Sequence, residues 1–107
     1  MRRAATLIVG RGKVGRALAA ALTSRGHAVQ LVAGRTISSA AVTSARVVVL
    51  ALPDAVLAGA AERIAPGLAR GVVVLHCAGR LGLEPLVACE RAAAHVGVMH
   101  PLASFPS

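Results

Sequence analysis

The chain has 107 residues, of which 56% are hydrophobic and 15% are charged, and this length fits one small domain with an apolar core. No apolar run reaches the roughly 20 residues that span a bilayer, and the amino terminus is not typical of a cleavable leader, so we expect a cytoplasmic protein without membrane contact. The formal net charge of +8 favours anionic partners. Because the arginines are scattered and Phe105 is the only aromatic residue, a small phosphorylated ligand is favoured over nucleic acid.

Strand and helix patterns alternate along the chain. In chain order, the sequence predicts a strand at Thr6–Val9, a helix from about Lys13 to Arg25, a strand at Ala28–Val32, a short helix or loop at Ser38–Ala45, a strand at Arg46–Leu52, a helix from Asp54 towards Pro66, a strand at Gly71–His76, a loop at Cys77–Gly82, a helix from Glu84 to about His95 and a strand at Val96–His100. The third strand is the most strongly indicated, because its centre is an unbroken run of β-forming residues.

This alternation is typical of βαβ units. We therefore predict an α/β fold with a doubly wound, Rossmann-like parallel sheet of about five strands in the order 3-2-1-4-5, and with helices on both faces. We expect residues 1–107 to form a single dinucleotide-binding domain.

A glycine motif stands between the first strand and the first helix. Gly10, Gly12 and Gly15 satisfy G-x-G-x-x-G, and this context is the one in which the motif indicates dinucleotide binding. The first glycine permits the tight turn, the second allows the backbone to approach a pyrophosphate, and the third allows close packing of the helix on the sheet. The alternative is a plain strand-to-helix turn. The predicted cofactor-binding residues here are Gly10, Arg11, Gly12, Lys13, Val14 and Gly15.

The end of the second strand predicts which dinucleotide is bound. NAD sites usually carry an acid there for the ribose diol, but no Asp or Glu lies between Lys13 and Arg46. Arg35 and Thr36 stand there instead, and a guanidinium can hold a 2′-phosphate through paired hydrogen bonds. The sequence therefore predicts NADP as the cofactor; the alternative for Arg35 is an exposed turn arginine.

Further candidates lie where other strands end. Leu52 and Pro53 would form an apolar wall near the cofactor ribose, and Cys77 and Ala78 would lie near the nicotinamide. His100 is the candidate catalytic residue, donating a proton or a hydrogen bond to a substrate carbonyl; the alternative is that it caps the strand end. The four histidines and two cysteines do not form a metal-binding spacing, so no metal is expected.

Four segments together resemble a known family. These are "LIVGRGKVGRALAAALTSRGHAV", "VVLALPDAVL", "HCAGRLGLEPL" and "GVMHPLASFP". They are similar to the N-terminal Rossmann-like domain of proteins that pair it with the domain of unknown function 2520 (DUF2520), within the group of pyrroline-5-carboxylate reductase-like and coenzyme F420-dependent NADP oxidoreductase-like proteins. "HCAGRLG" and "MHPLASFP" are the most specific parts.

The resemblance implies that Gly10, Gly12, Gly15 and Arg35 bind NADP and that the loops after His76 and His100 border the substrate cleft. The sequence departs from the family at Ala78, where relatives commonly have serine. It also ends where the family's helical substrate and dimerisation domain, which completes the cleft, should begin, so we expect a missing C-terminal domain or a homo-oligomer.

Two functions agree with these features. The first is the NADP(H)-binding domain of a small-molecule oxidoreductase, which transfers a hydride to or from a carbonyl or imine of unknown identity and is incomplete as a catalyst alone. The alternative is a non-catalytic nucleotide-binding or sensing module. A nucleic-acid-binding domain has only the scattered arginines in its favour.

Overall fold

The computed structural model describes residues 5–100, which form alternating strands and helices. The strands are β1 (Thr6–Val9), β2 (Val29–Val32), β3 (Val47–Leu50), β4 (Val73–His76) and β5 (His95–Val98), and the α-helices are α1 (Lys13–Ser24), α2 (Asp54–Ile64) and α3 (Val87–Arg91). Single 3-10 turns lie at Ser39–Val42, Ala65–Gly67, Gly79–Leu81 and Glu84–Leu86. The part of the family motif "MHPLASFP" that follows His100 lies outside the described residues.

The five strands form one sheet in the order β2-β1-β3-β4-β5, and every neighbouring pair is parallel. The fold is therefore a Rossmann-like α/β fold with a doubly wound sheet, as the sequence predicts. The order differs from the predicted 3-2-1-4-5, because β3 pairs with β1 and does not lie at the edge beyond β2.

The central position of β3 explains its composition. Val48, Val49 and Leu50 are at most 1% exposed, so both faces of this strand are covered. An edge strand would leave part of such a run open to solvent. The unbroken apolar run thus indicates a central strand, whereas the predicted order 3-2-1-4-5 places this strand at the edge.

Helices cover both faces of the sheet. On one face, α2 and α3 pack on alternate residues of β1, β3 and β4; this core includes Leu7, Val9, Val48, Leu50, Val74, Leu57, Ile64, Leu86 and Cys89. On the other face, Leu18 of α1 packs with Ile8 and Val49. The alternation of side chains along each strand therefore divides the core between the two faces.

The last helix is the element that departs most from the prediction. The sequence predicts a helix from Glu84 to about His95, but α3 ends at Arg91 and β5 begins at His95. Ala93 adopts a left-handed conformation, with φ of 68°, between the two elements. Pairing of His95 with Val73 requires an extended backbone there, so sheet formation overrides the helix propensity of the preceding alanines.

Candidate functional site

The turn after β1 has a conformation that requires glycine. Gly10 has φ of +121°, and a Cβ at this position would overlap the carbonyl oxygen of Ala51. A Cβ at Gly15 would likewise overlap the carbonyl oxygen of Gly10, because α1 begins directly against the turn. These two glycines therefore set the close approach between β1, α1 and the chain that follows β3.

Gly12 lies in a different environment. It is the N-cap of α1, with an ordinary φ of −77°, and no atom lies within 4 Å of the position that a Cβ would take. The first turn of α1 carries no acidic residue, and no side chain caps it. The free N–H groups and the positive end of the helix dipole thus face open space beside Gly12.

A cleft with a volume of about 500 Å³ lies at the carboxyl ends of the strands. Chain connections diverge between β1 and β3, because β1 leads to β2 on one side and β3 leads to β4 on the other. Open α/β sheets bind ligands at such a switch point, and in the 2-1-3-4-5 order it falls between β1 and β3. The cleft is lined by Gly10, Arg11, Gly12, Gly34, Arg35, Ala51, Leu52, Pro53, Val56 and Arg63.

Three of these lining residues are arginines, and none of the described lining residues is acidic. Arg11 is fixed through its backbone, because Arg16 Nε donates a hydrogen bond of 2.6 Å to the Arg11 carbonyl oxygen. Arg63, on α2, donates from Nη2 to the carbonyl oxygen of Gly34 over 3.2 Å. The cleft therefore combines a helix start with several guanidinium groups, an arrangement that favours an anionic ligand.

A second cleft, with a volume of about 280 Å³, shares Gly12, Ala51, Leu52 and Pro53 with the first. It extends the open space towards the end of β4. Its other lining residues are Lys13, Val14, Asp54, Cys77 and Ala78. An elongated ligand could therefore lie across the carboxyl ends of β1, β3 and β4 at once.

His76 shapes the loop that borders the second cleft. The side chain is fully buried, its Nδ1 accepts a hydrogen bond of 2.9 Å from the Ala78 N–H, and its Nε2 lies 2.5 Å from the Gly82 carbonyl oxygen. These partners require a neutral ring with the proton on Nε2, which donates to Gly82. His76 is therefore a structural residue that ties both ends of the loop to β4.

Cys77 follows β4, and His100 follows the neighbouring strand β5. The imidazole of His100 lies against Gly79, because a Cβ on that glycine would overlap the ring, and His100 is exposed. Burial raises the pKa of the Cys77 thiol, so this group is a poor source of thiolate at neutral pH. An exposed imidazole is available for hydrogen bonding or proton donation, whereas a thiol that stays protonated is a poor nucleophile.

An ion pair joins Asp54, which lines the second cleft, to the loop after β4. Arg80, in the loop after β4, donates from Nη2 and Nε to Asp54 Oδ2 over 3.0 and 3.2 Å. Asp54 is the first residue of α2 and makes no capping hydrogen bond. Pro53 is the N-cap of α2, and the Asp54 carboxylate pairs with Arg80. Because both side chains are solvent-exposed, such a pair stabilises the fold by at most about 1 kcal/mol.

The structure brings most of the predicted site residues together. Those that line one or both clefts are Gly10, Arg11, Gly12, Lys13, Val14, Arg35, Leu52, Pro53, Cys77 and Ala78. Gly15 is buried behind the turn. Neither cleft is lined by Thr36 or His100. Thr36 is exposed beyond Arg35, and His100 lies against the neighbouring loop.

Sequence reasoning missed the contribution of α2 to the cleft. Val56 and Arg63 are lining residues, and they are spaced by two helical turns, so they share one side of the helix. Leu57, Ala61 and Ile64, on the buried stripe, pack in the core. The available signal was an arginine on the flank of an apolar stripe, which by itself indicates only an exposed side chain.

Two negative findings apply to residues 5–100. No helix within that range is long and apolar enough to cross a membrane. The same residues contain no group of three or more His, Cys, Asp or Glu side chains that could hold a metal ion.

The fold and the position of the clefts define a class: a doubly wound α/β domain with open space at its topological switch point. No family model matches the chain, and no curated protein matches it either. The family resemblance therefore stays a prediction.

Solved structures share the fold. A ketopantoate reductase of the PanE/ApbA family from Ralstonia eutropha JMP134 is similar over 87% of this chain, with a TM-score of 0.65 and 20% identity. A flavodoxin from Streptococcus pneumoniae TIGR4 is similar over 92% of this chain and 84% of its own, with a TM-score of 0.50 and 17% identity. The present chain spans about two fifths (40%) of the reductase. At these identities, the likeness shows the fold alone.

Proposed function

We propose that this chain is the NADP(H)-binding domain of a small-molecule oxidoreductase. The diphosphate would bind at the start of α1 beside Gly12, and the phosphorylated ribose would bind near Arg35. A carbonyl or imine substrate would be reduced, or the corresponding reduced compound oxidised, beside the loop after β4.

The observation that carries this proposal is the cleft between the β1 and β3 turns. Gly12 and Arg35 both line this cleft, and the space beside Gly12 that a Cβ would enter is open. The described lining of the cleft contains no carboxylate. A dinucleotide diphosphate needs close approach to main-chain N–H groups, and a 2′-phosphate needs cations where an NAD site has an acid. Both requirements fit the residues present.

The comparison with a reductase and the predicted family agree with this proposal but do not identify a substrate. In proteins of the DUF2520 family that the sequence resembles, a helical second domain completes the substrate cleft. We propose that this chain performs the nucleotide-binding part of such a reaction and depends on a further domain or on a second copy for turnover.

Within the proposed site, the nicotinamide supplies the hydride when the cofactor is bound. The chain orients the cofactor and limits access of water. Leu52 and Pro53 give the shared wall of both clefts an apolar surface, while Cys77 and Ala78 border the second cleft. His100, exposed beside Gly79, would donate a proton or a hydrogen bond to the substrate oxygen or nitrogen.

A flavin mononucleotide site is the second candidate, because the strand order is that of flavodoxin, which binds this cofactor at the same switch point. Flavin mononucleotide has one phosphate and no 2′-phosphate. Arg35 would then have no specific partner, and the glycine motif would serve only as a turn.

The test is to measure the dissociation constants of NADPH, NADH and flavin mononucleotide by calorimetry, for the unaltered chain and for Arg35→Ala. Loss of charge-assisted hydrogen bonds to a 2′-phosphate should weaken NADPH binding by about 10- to 100-fold. NADH binding should change by less than about threefold, because NADH lacks that phosphate.

Arg70→Ala is the matched control, since it removes an exposed arginine that borders a separate cavity with Arg46 and Val72. It should leave both dinucleotide affinities unchanged. Equal affinity of the unaltered chain for NADPH and NADH would contradict the assignment of the cofactor. Tight binding of flavin mononucleotide alone would favour the second candidate, and dinucleotide binding without turnover in a reconstituted assembly would favour a sensing module.

A further inference from the structure

Arg63 is a basic residue of the cleft that the glycine motif and the second strand do not predict. It lies near the end of α2, and its Nη2 donates a hydrogen bond to the carbonyl oxygen of Gly34. Gly34 is buried and directly precedes Arg35. The guanidinium of Arg63 therefore reaches across from α2 to the turn that carries the predicted 2′-phosphate ligand.

Leu52 also restricts the space around Gly34. A Cβ on Gly34 would overlap a methyl group of Leu52, and Leu52 lines both clefts. The turn that precedes Arg35 therefore contacts both Leu52 and Arg63.

Arg63 has donors beyond the one that Gly34 uses. A guanidinium carries five N–H groups in a fixed plane, and Arg63, like Arg35 and Arg11, lines the first cleft. The structure gives Arg63 no carboxylate partner within residues 5–100. Cations that share a cleft without an acid repel one another, and a bound dianion relieves this repulsion.

We infer that Arg63 is a specificity-determining residue that favours a dinucleotide with a phosphorylated ribose. It has two roles: it positions the turn that carries Arg35, and it supplies a second guanidinium to the 2′-phosphate. This inference rests on the proposed function and adds to it a residue from a different element of the fold.

The experiment compares the unaltered chain with Arg63→Gln and Arg63→Lys. Adenosine 2′,5′-bisphosphate and adenosine 5′-monophosphate serve as probes, because they differ in the 2′-phosphate alone, and NADPH and NADH serve as the complete ligands. Glutamine keeps much of the side-chain length and a similar helix propensity, so α2 should form normally. Arg70→Gln, which removes the same charge from an exposed arginine at the separate cavity, is the control.

Arg63→Gln should weaken the bisphosphate and NADPH by about tenfold or more, while the monophosphate and NADH change by less than about threefold. Arg63→Lys should weaken binding less than Arg63→Gln but more than no substitution, because an ammonium lacks the planar set of donors with which a guanidinium can bond the Gly34 carbonyl and a phosphate together. In combination with Arg35→Ala, the second substitution should cost less than it does alone, since the two residues act on one phosphate.

The outcomes separate this inference from the proposed function. If the unaltered chain prefers NADPH and Arg63→Gln keeps that preference, the role of Arg63 is refuted and the proposed function stands. If the unaltered chain binds neither dinucleotide, both fail. A loss of affinity that is equal for the bisphosphate and the monophosphate would show a merely structural role and would also overturn the inference.

Discussion

Gly12 and Gly15 belong to one sequence motif, yet only Gly15 is packed against other residues of the chain. Gly15 is buried against the Gly10 carbonyl, so its lack of a side chain is required by the fold alone. Gly12 faces open space at the start of α1 and has a backbone conformation that any residue can adopt. The absence of a side chain at Gly12 therefore has no explanation in packing, and a ligand that fills this space would explain it.

Gly12→Ala tests this difference at the level of one residue. The added methyl group meets no atom in the protein, so the free energy of unfolding should change by less than about 1 kcal/mol, the net of a poorer N-cap and a less flexible unfolded chain. Binding of both NADPH and NADH should fall by at least about tenfold, because the methyl group enters the space proposed for the diphosphate. Denaturant unfolding and calorimetry measure the two effects; unchanged affinity for both dinucleotides would contradict the placement of the diphosphate.

Elements are positioned in this fold by the size of the residues at their contacts. α1 begins against the β1 turn because Gly15 lets the helix approach the Gly10 carbonyl. α2 leaves β3 through Pro53 at its N-cap and carries Arg63 back towards the turn after β2. Two helices thus border the candidate site: α1 begins at the carboxyl ends of the strands, and α2 passes beside them. The packing of each helix determines where its cationic groups lie.

Two helical glycines allow a matched test of α1 packing. Gly15→Ala should destabilise the fold by roughly 1–3 kcal/mol, because the Cβ would overlap the Gly10 carbonyl and force α1 from the sheet. Gly59→Ala should be neutral or stabilise the fold by up to about 1 kcal/mol, since no atom lies within 4 Å of its Cβ position and alanine favours the helix. Urea unfolding followed by circular dichroism gives both values, and equal effects would refute close packing at Gly15.

At the scale of the whole molecule, α2 and α3 cover the larger of the two core clusters. Cys89 of α3 lies where the two helices meet. This residue is fully buried, and its Sγ lies 3.7 Å from the Ala61 carbonyl oxygen on α2. Burial raises the pKa of the Cys89 thiol to about 11. Ionisation of this group therefore opposes the packing of the two helices, and it links the stability of the domain to alkaline pH.

The sign of this linkage follows from the raised pKa. Between about pH 9 and 11 the unfolded chain loses the thiol proton while the folded chain keeps it, so the free energy of unfolding should fall as pH rises, by at most about 3 kcal/mol. The chain has no tyrosine, and Cys77, whose pKa is also raised, acts in the same direction. Urea unfolding of the unaltered chain and of Cys89→Ala at pH 8 and 10.5 measures the effect. Alanine should lower stability at pH 8 but reduce the fall with pH, and an equal fall in both proteins would contradict the linkage.

Local patterns in the sequence determined the fold class and predicted most residues of the candidate site. The positions of β1, α1 and β3 follow from short-range periodicity, and the turn at Gly10 follows from the motif, because the spacing of apolar residues and of glycines is a local feature of the sequence. The motif and Arg35 could therefore be predicted as cofactor-binding residues without a structure. The alanines before His95 show the limit of this reasoning, since their helix propensity loses to the pairing of β5 with β4.

Only the tertiary structure decided the strand order, the reach of Arg63 to Gly34 and the contact of His100 with Gly79. These features join residues that lie far apart in the chain, and no local pattern specifies which of them meet. They depend on where each crossover returns to the sheet: with β3 beside β1, the turns after β1, β2 and β3 meet around one cleft and α2 runs past it. The sequence by itself therefore determined which chemical groups the domain carries, while the pairing of the strands decided which of those groups face the same space.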